Sequence, residues 1–188
     1  SITDQEEKDA AFTAIVRCGR HAIEPVRAFA AKAESLAWAM RVLKELLPEE
    51  EYVGELLLWL SRWDTEYAKF IDPKIQLLAT LEEHRHPDLV KTVEPFLLDV
   101  NETARFHAAA TLLAQDDASV APAILQALVD EESVRIKIKI ADAFLARGWA
   151  IPDDVRADVR KNLPSGYTID GEGLVRKKDA APSFGFEL

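Results

Sequence analysis

The sequence predicts an all-α solenoid of about four helix pairs that ends in a small β-hairpin. Two observations carry this prediction. The stretch from residue 88 to residue 148 contains one pattern twice: an apolar helix with a proline, an acidic break, and a second helix that opens with arginine. The two arginines, Arg105 and Arg135, are 30 residues apart, and self-similarity at such a period is typical of stacked helical repeats.

The composition supports a folded, helical chain. Its 188 residues suit one domain or one short repeat array. Apolar residues make up 48% and charged residues 30%, so the chain can bury a core and global disorder is not expected. Glycine occurs only 7 times, which also favours helix.

Helix signals follow one another along the chain. Acidic residues in the first turn predict a helix over about 5–17, which Gly19 ends. An apolar stretch with a proline recurs around Pro25, Pro95 and Pro122 and is an internal repeat. Capping residues, prolines and acidic turns predict further helices over 36–47, 50–63, 74–84, 89–98, 104–112, 120–129, 134–147 and 152–162. The 50–63 helix is apolar nearly all round, which predicts burial on two sides.

The character of the chain changes after Pro164. Two β-type runs, 167–169 and 174–176, flank an Asp170–Gly173 turn, and Asp-Gly is a strong hairpin signal. A lone hairpin is marginal in water, so it must pack on the last helices. We therefore predict a helical repeat domain over 1–164, and a hairpin and tail over 165–188 that dock on or near the last repeat.

The charge balance and the single cysteine exclude several classes of protein. The net charge is −10 and both halves of the chain are acidic, so nucleic acid is a poor partner, because binding it depends on lysine and arginine. Cys18 is the one cysteine, so no disulfide framework is expected, which fits the cytoplasm. No apolar run reaches the length of a membrane span and no signal peptide is recognisable.

The repeated stretch resembles the HEAT repeat in its short bacterial form, related to the phycobilisome-lyase repeats. Residues 122–130, PAILQALVD, match the first helix and turn of that pattern, and residues 104–112, ARFHAAATL, match its second helix. Val134-Arg135 matches the start of the next second helix, but Ile138-Lys139-Ile140 departs where small residues are usual. Around Leu36 and Ile75 the arginine is absent and the spacing stretches. The resemblance, which spans about 23–148, implies a right-handed α-α superhelix.

Polar residues on the second helices are the candidate contacts for a partner. In a solenoid, the second helices lie on the concave side of a rigid, curved surface, which a partner could contact. The candidate contact residues on these helices are Arg41, Gln76, Arg105, Arg135 and Lys139. A structural role is the alternative, because the resemblance implies that each of these arginines, Arg105 and Arg135, pairs with the turn acid of an adjacent repeat. The turn acids here are Asp99 and Asp130. Lys137 extends Arg135 and Lys139 into a small basic patch, for which a solvated helix face or a local strand is the alternative.

Three further clusters have both a functional and a structural interpretation. Trp59, Trp63, Tyr67 and Phe70 recur at helical spacing, so they form either a binding ridge or, more often for such a stripe, core between the second and third pairs. His84, His86 and Asp88 resemble a metal site in composition only. Cys18 and His21 would need a third group to orient them as nucleophile and base.

The sequence thus favours a non-enzymatic interaction scaffold or adaptor that binds a segment of another protein. It gives no motif for a cofactor, a metal or a catalytic centre. Two alternatives remain open. One is a subunit of a bilin-lyase-like enzyme, suggested by the repeat type alone. The other is a structural protein that self-associates through its tail, where Phe184 and Phe186 are the candidate anchors.

Overall fold

The computed structural model describes residues 2–178, with side chains from residue 6 onward. This part of the chain is mostly helical, with ten α-helices and one two-stranded antiparallel hairpin. The all-α prediction with a small hairpin is confirmed at that level. The chain divides into two compact units, one up to Gln115 and one from Asp116 onward. Within residues 2–178, no helix is long and apolar enough to cross a membrane.

The first unit contains seven α-helices and two short 3-10 segments. The α-helices are α1 (Ile2–Arg17), α2 (Ile23–Ala30), α3 (Ala37–Leu46), α4 (Glu49–Leu60), α5 (Asp72–Leu81), α6 (Leu89–Val93) and α7 (Glu102–Ala114). The predicted 89–98 helix is α6 followed by the 3-10 segment Glu94–Leu98, because Pro95 supplies no backbone N–H donor. The predicted helices over 50–63 and 74–84 end about three residues early.

Alternate helices of the first unit contact one another. The Arg27 guanidinium on α2 donates to both carboxylate oxygens of Glu55 on α4, at 3.1 and 2.6 Å, and α4 contacts α6. The other alternate helices are joined likewise: the Thr80 hydroxyl on α5 lies 3.8 Å from the Met40 sulfur on α3. The Thr111 hydroxyl on α7 donates to the Leu78 carbonyl on α5 at 2.8 Å. The helices therefore form two layers, with α2, α4 and α6 in one and α3, α5 and α7 in the other.

The core of the first unit lies between these two layers. Helix α4 buries residues on more than one face, as its apolar sequence predicts; its buried apolar residues are Tyr52, Val53, Leu56, Leu57, Trp59 and Leu60. Helix α7 buries four alanines together with larger residues; its buried residues are Ala104, Ala108, Ala109, Ala110, Thr111, Leu112 and Leu113. The Asn101 side chain caps α7 by accepting from the N–H groups of Thr103 and Ala104.

The second unit comprises α8 (Ala121–Asp130), α9 (Val134–Arg147), α10 (Asp153–Asn162), β1 (Tyr167–Ile169) and β2 (Val175–Lys177). Gly148 ends α9 in the left-handed conformation at φ 62°. The hairpin pairs Tyr167 with Lys177, and the Tyr167 hydroxyl donates to the Asp142 carboxylate on α9 at 2.7 Å. The predicted hairpin is confirmed, with β2 one residue later than expected. The predicted tail contacts lie outside the described residues.

Candidate functional site

A cavity of about 460 Å³ in the first unit is the candidate site. It lies between the segment that joins α2 to α3 and the segment that joins α4 to α5. Its lining residues are Ala30, Ala31, Lys32, Ala33, Glu34, Leu36, Trp59, Arg62, Trp63, Phe70 and Pro73. Three aromatic rings and several small apolar groups thus meet two cations and one acid.

The aromatic residues of this cavity do not form the single helical stripe that their spacing predicts. Helix α4 ends at Leu60, and the Arg62 and Trp63 N–H groups bond three residues back, to the Trp59 and Leu60 carbonyls. Only Trp59 is core, with 5% of its surface exposed, whereas Phe70 is 51% exposed and Tyr67 is 83% exposed. Core burial of the whole set is therefore wrong. Trp63 and Phe70 belong to the α4–α5 segment, and there they line the cavity.

A buried ion pair holds the segment that carries these rings. The Lys74 ammonium at the start of α5 lies 2.6 Å from an Asp99 carboxylate oxygen, and both side chains are fully buried. Lys74 also donates to the Asp64 carbonyl at 2.9 Å, and its Nζ lies 5.8 Å from the centre of the Trp63 ring. Because a buried charge is tolerated only when it is paired and hydrogen-bonded, Lys74 fixes the α4–α5 segment against the turn before α7.

Sequence reasoning missed Lys74, although a signal was present. Lys74 precedes Arg105 by 31 residues, which is close to the 30-residue spacing from Arg105 to Arg135. No arginine lies next to Ile75, but Lys74 places a cation there at nearly the same spacing. The Asp99 carboxylate pairs with Lys74 at the start of α5, and Arg105 bonds to the Asp99 carbonyl instead.

Two of the predicted contact residues join helices of the first unit. The Arg41 guanidinium on α3 stands 4.1 Å above the Phe12 ring of α1 and lies 3.5 Å from an Asp9 carboxylate oxygen. The Gln76 amide on α5 accepts from the Leu36 N–H at 2.6 Å and donates to the Ser35 hydroxyl at 2.9 Å. Each side chain is thereby held in place by neighbouring helices.

The other three predicted contact residues lie on α7 and α9. Arg105 donates to the carbonyl oxygens of Asp99 and Val100, at 2.8 and 3.3 Å, so it closes the turn before its own helix. Arg135 is exposed and Lys139 half-buried on α9, where both also make interactions of their own. Because α9 is a continuous helix over Val134–Arg147, the local strand interpretation of the basic patch is wrong.

Side chains of the histidine and cysteine clusters form hydrogen bonds to other residues of the first unit. The His84 ring bonds through Nδ1 to the Glu49 carboxylate and meets the Tyr52 ring edge-on, while His84 Nε2 has no partner. The Cys18 thiol donates to the Ala14 carbonyl at 3.4 Å. Across the residues that the structure describes, no three or more metal-ligating side chains come together.

Comparison with family models, curated proteins and solved structures returns no match to this chain. What the chain can do is therefore argued from its geometry. The cavity offers aromatic faces, alanine methyl groups and two cations, a combination that suits the binding of a side chain from another molecule.

Proposed function

We propose that this protein is a non-enzymatic interaction module, built from stacked HEAT-like helix pairs, that binds a segment of a partner protein. The observation that carries the proposal is the aromatic cavity of about 460 Å³ in the first unit. Exposed aromatic side chains beside a preformed cavity are typical of the anchoring points at which protein partners are held. The single cysteine, Cys18, supports a cytoplasmic setting.

The layered arrangement of the first unit supports the repeat interpretation. Each pair of helices leaves one apolar face that the next pair covers, as in a solenoid. The sequence pattern is clearest in α7 and α8, which carry the strongest likeness to the HEAT repeat, and it continues into the start of α9. A right-handed superhelix is the arrangement that this likeness favours, and it would display a curved surface to an extended partner.

The contacts within the first unit move the proposed partner site away from Arg41, Gln76 and Arg105. Each of these three side chains bonds to another part of the first unit, and a partner would have to break those bonds. Arg135 and Lys139 on α9 remain candidate contacts. The cavity needs no such exchange, because Phe70 is already exposed to solvent and Trp63 is half-buried.

Phe70→Ala tests the proposal, with Tyr67→Ala as its matched control. Both substitutions remove an exposed aromatic ring from the same segment, but Tyr67 does not line the cavity. Cross-linked partners from the native host are identified by mass spectrometry for the wild type and for both variants. We expect Phe70→Ala to lose a specific partner that Tyr67→Ala retains, because truncating an anchoring ring costs about 2 kcal/mol or more of binding.

Thermal unfolding of the three proteins provides the control for folding. Since both rings are at least half exposed, the melting temperatures should agree closely. If both variants melt like the wild type and capture the same partners as it does, the cavity is not the partner site and the proposal fails.

A further inference from the structure

The charged residues that line the aromatic cavity carry a net charge opposite in sign to that of the chain as a whole. The chain carries a net charge of −10, yet the described residues that line the cavity include Lys32 and Arg62 against the single acid Glu34. Neither Lys32 nor Arg62 forms an ion pair with any residue that the structure describes. A partner could therefore pair with both cations without breaking an existing interaction.

This local excess governs what the cavity attracts. Exposed charges more than about 10 Å apart are largely screened at 0.1 M salt, so remote acids contribute little at its rim. Lys32 and Arg62 lie within contact distance of a ligand seated there. Their guanidinium and ammonium groups favour carboxylates, and the guanidinium can hold one through two hydrogen bonds.

The buried Lys74 also argues against a cationic ligand. Its ammonium lies 5.8 Å from the centre of the Trp63 ring, which lines the cavity. Because the quadrupole of one ring already attracts this cation, a second cation on that ring gains less. The binding of an aromatic or aliphatic side chain is not weakened in this way, because it carries no charge.

We infer that the cavity binds one apolar side chain, a leucine or an aromatic residue, from a segment of a partner protein. In that segment, carboxylate side chains flank the apolar residue. Trp59, Trp63 and Phe70 surround the apolar anchor, and Arg62 and Lys32 pair with the flanking carboxylates. This inference rests on the proposed function and specifies the partner class for the same site.

Three matched peptides test this inference on the full chain. Each is a capped hexapeptide with a central Phe-Leu and two flanking residues on either side, and the four flanking residues are all glutamate, all glutamine or all lysine. Fluorescence anisotropy of labelled peptides gives their affinities. For the wild type, we expect the glutamate peptide to bind most tightly, the glutamine peptide less tightly and the lysine peptide least tightly. The glutamate peptide should bind about five-fold more tightly than the glutamine peptide, because one of its carboxylates pairs with Arg62.

Charge reversal at Arg62 then tests whether this residue pairs with the carboxylates of the peptide. Arg62→Glu should weaken the glutamate peptide by about five-fold or more and strengthen the lysine peptide. Arg160→Glu is the control, since it changes the net charge equally at an exposed residue that does not line the cavity. Phe70→Ala should weaken all three peptides, whereas Tyr67→Ala should leave their affinities unchanged.

Each contrary result has a separate meaning. If the lysine or glutamine peptide binds as well as the glutamate peptide and Phe70→Ala still abolishes binding, the cavity is a binding site but the inferred partner class is wrong. Failure of the glutamate peptide to bind also overturns the inference, while the proposed function is judged by partner capture. If the wild type self-associates and Phe70→Ala is monomeric by light scattering, the occupant is a second copy, and the inference of a separate partner falls.

Discussion

Replacing Lys74 with methionine should destabilise the first unit strongly. Methionine fills nearly the same volume as the lysine stem, so the change removes the charge with little loss of packing. It leaves the Asp99 carboxylate fully buried and without its cation at 2.6 Å. The Asp64 carbonyl loses its donor as well. The main effect is therefore electrostatic.

The size of the effect follows from the burial of both partners. Removing one member of a buried pair costs about 3–5 kcal/mol, because an unpaired charge stays in the interior. That is a large share of the roughly 5–15 kcal/mol by which folded domains are stable. For a chain of this length we expect the melting temperature to fall by about 6–20 °C.

A double-mutant cycle separates the ion pair from packing. Asp99→Asn should cost less than Lys74→Met, because the amide oxygen can still accept from the Asn101 N–H, which lies 2.8 Å from the native carboxylate. In the double variant no charge is left unpaired. We expect it to be more stable than Lys74→Met alone, as measured by chemical denaturation of all four proteins.

Two results would refute this reasoning. One is a Lys74→Met protein that unfolds within about 1 kcal/mol of the wild type, since a fully buried pair cannot lose one charge so cheaply. The other is a double variant whose loss equals the sum of the two single losses. Additivity would mean that the two side chains do not interact.

Three further predictions concern other residues. Arg105→Ala should lower the free energy of unfolding by about 1–2 kcal/mol in denaturation experiments, because it removes the donor to the Asp99 carbonyl; unchanged stability with lost partner binding would make Arg105 a contact residue instead. Gly173→Ala should destabilise the second unit by more than about 1 kcal/mol, because Gly173 has a φ of 85° and an added Cβ would lie 2.8 Å from the Ile151 carbonyl oxygen; an unchanged melting curve would contradict this. Burial raises the pKa of Tyr52 from 10.0 to about 12, so the phenol ionises first in the unfolded chain, and Tyr52 should contribute about 2 kcal/mol to a fall in stability from pH 10 to pH 12; Tyr52→Phe should remove that contribution, and equal slopes for both proteins would be the contrary result.

Local patterns in the sequence determined the helices, their order and the hairpin. Prolines, glycines and acidic turns act on their own neighbours, so their effect can be recognised without knowing the rest of the fold. The apolar sequence of α4 likewise predicted burial on more than one face. The 30-residue period predicts stacked helix pairs, and that arrangement stays a prediction.

Only the tertiary structure decided the role of the aromatic and charged residues. The helical spacing of Trp59, Trp63, Tyr67 and Phe70 predicted one stripe along a helix. Helix α4 ends at Leu60, however, so only Trp59 lies on it. The other three rings lie on the α4–α5 segment, and the four rings differ in burial. Lys74 resembled any surface lysine, and its burial depends on Asp99, which lies 25 positions along the chain. A local pattern fixes which residues can form a helix. Whether a side chain ends in core, in a cavity or against a counter-charge depends on residues brought near it by folding.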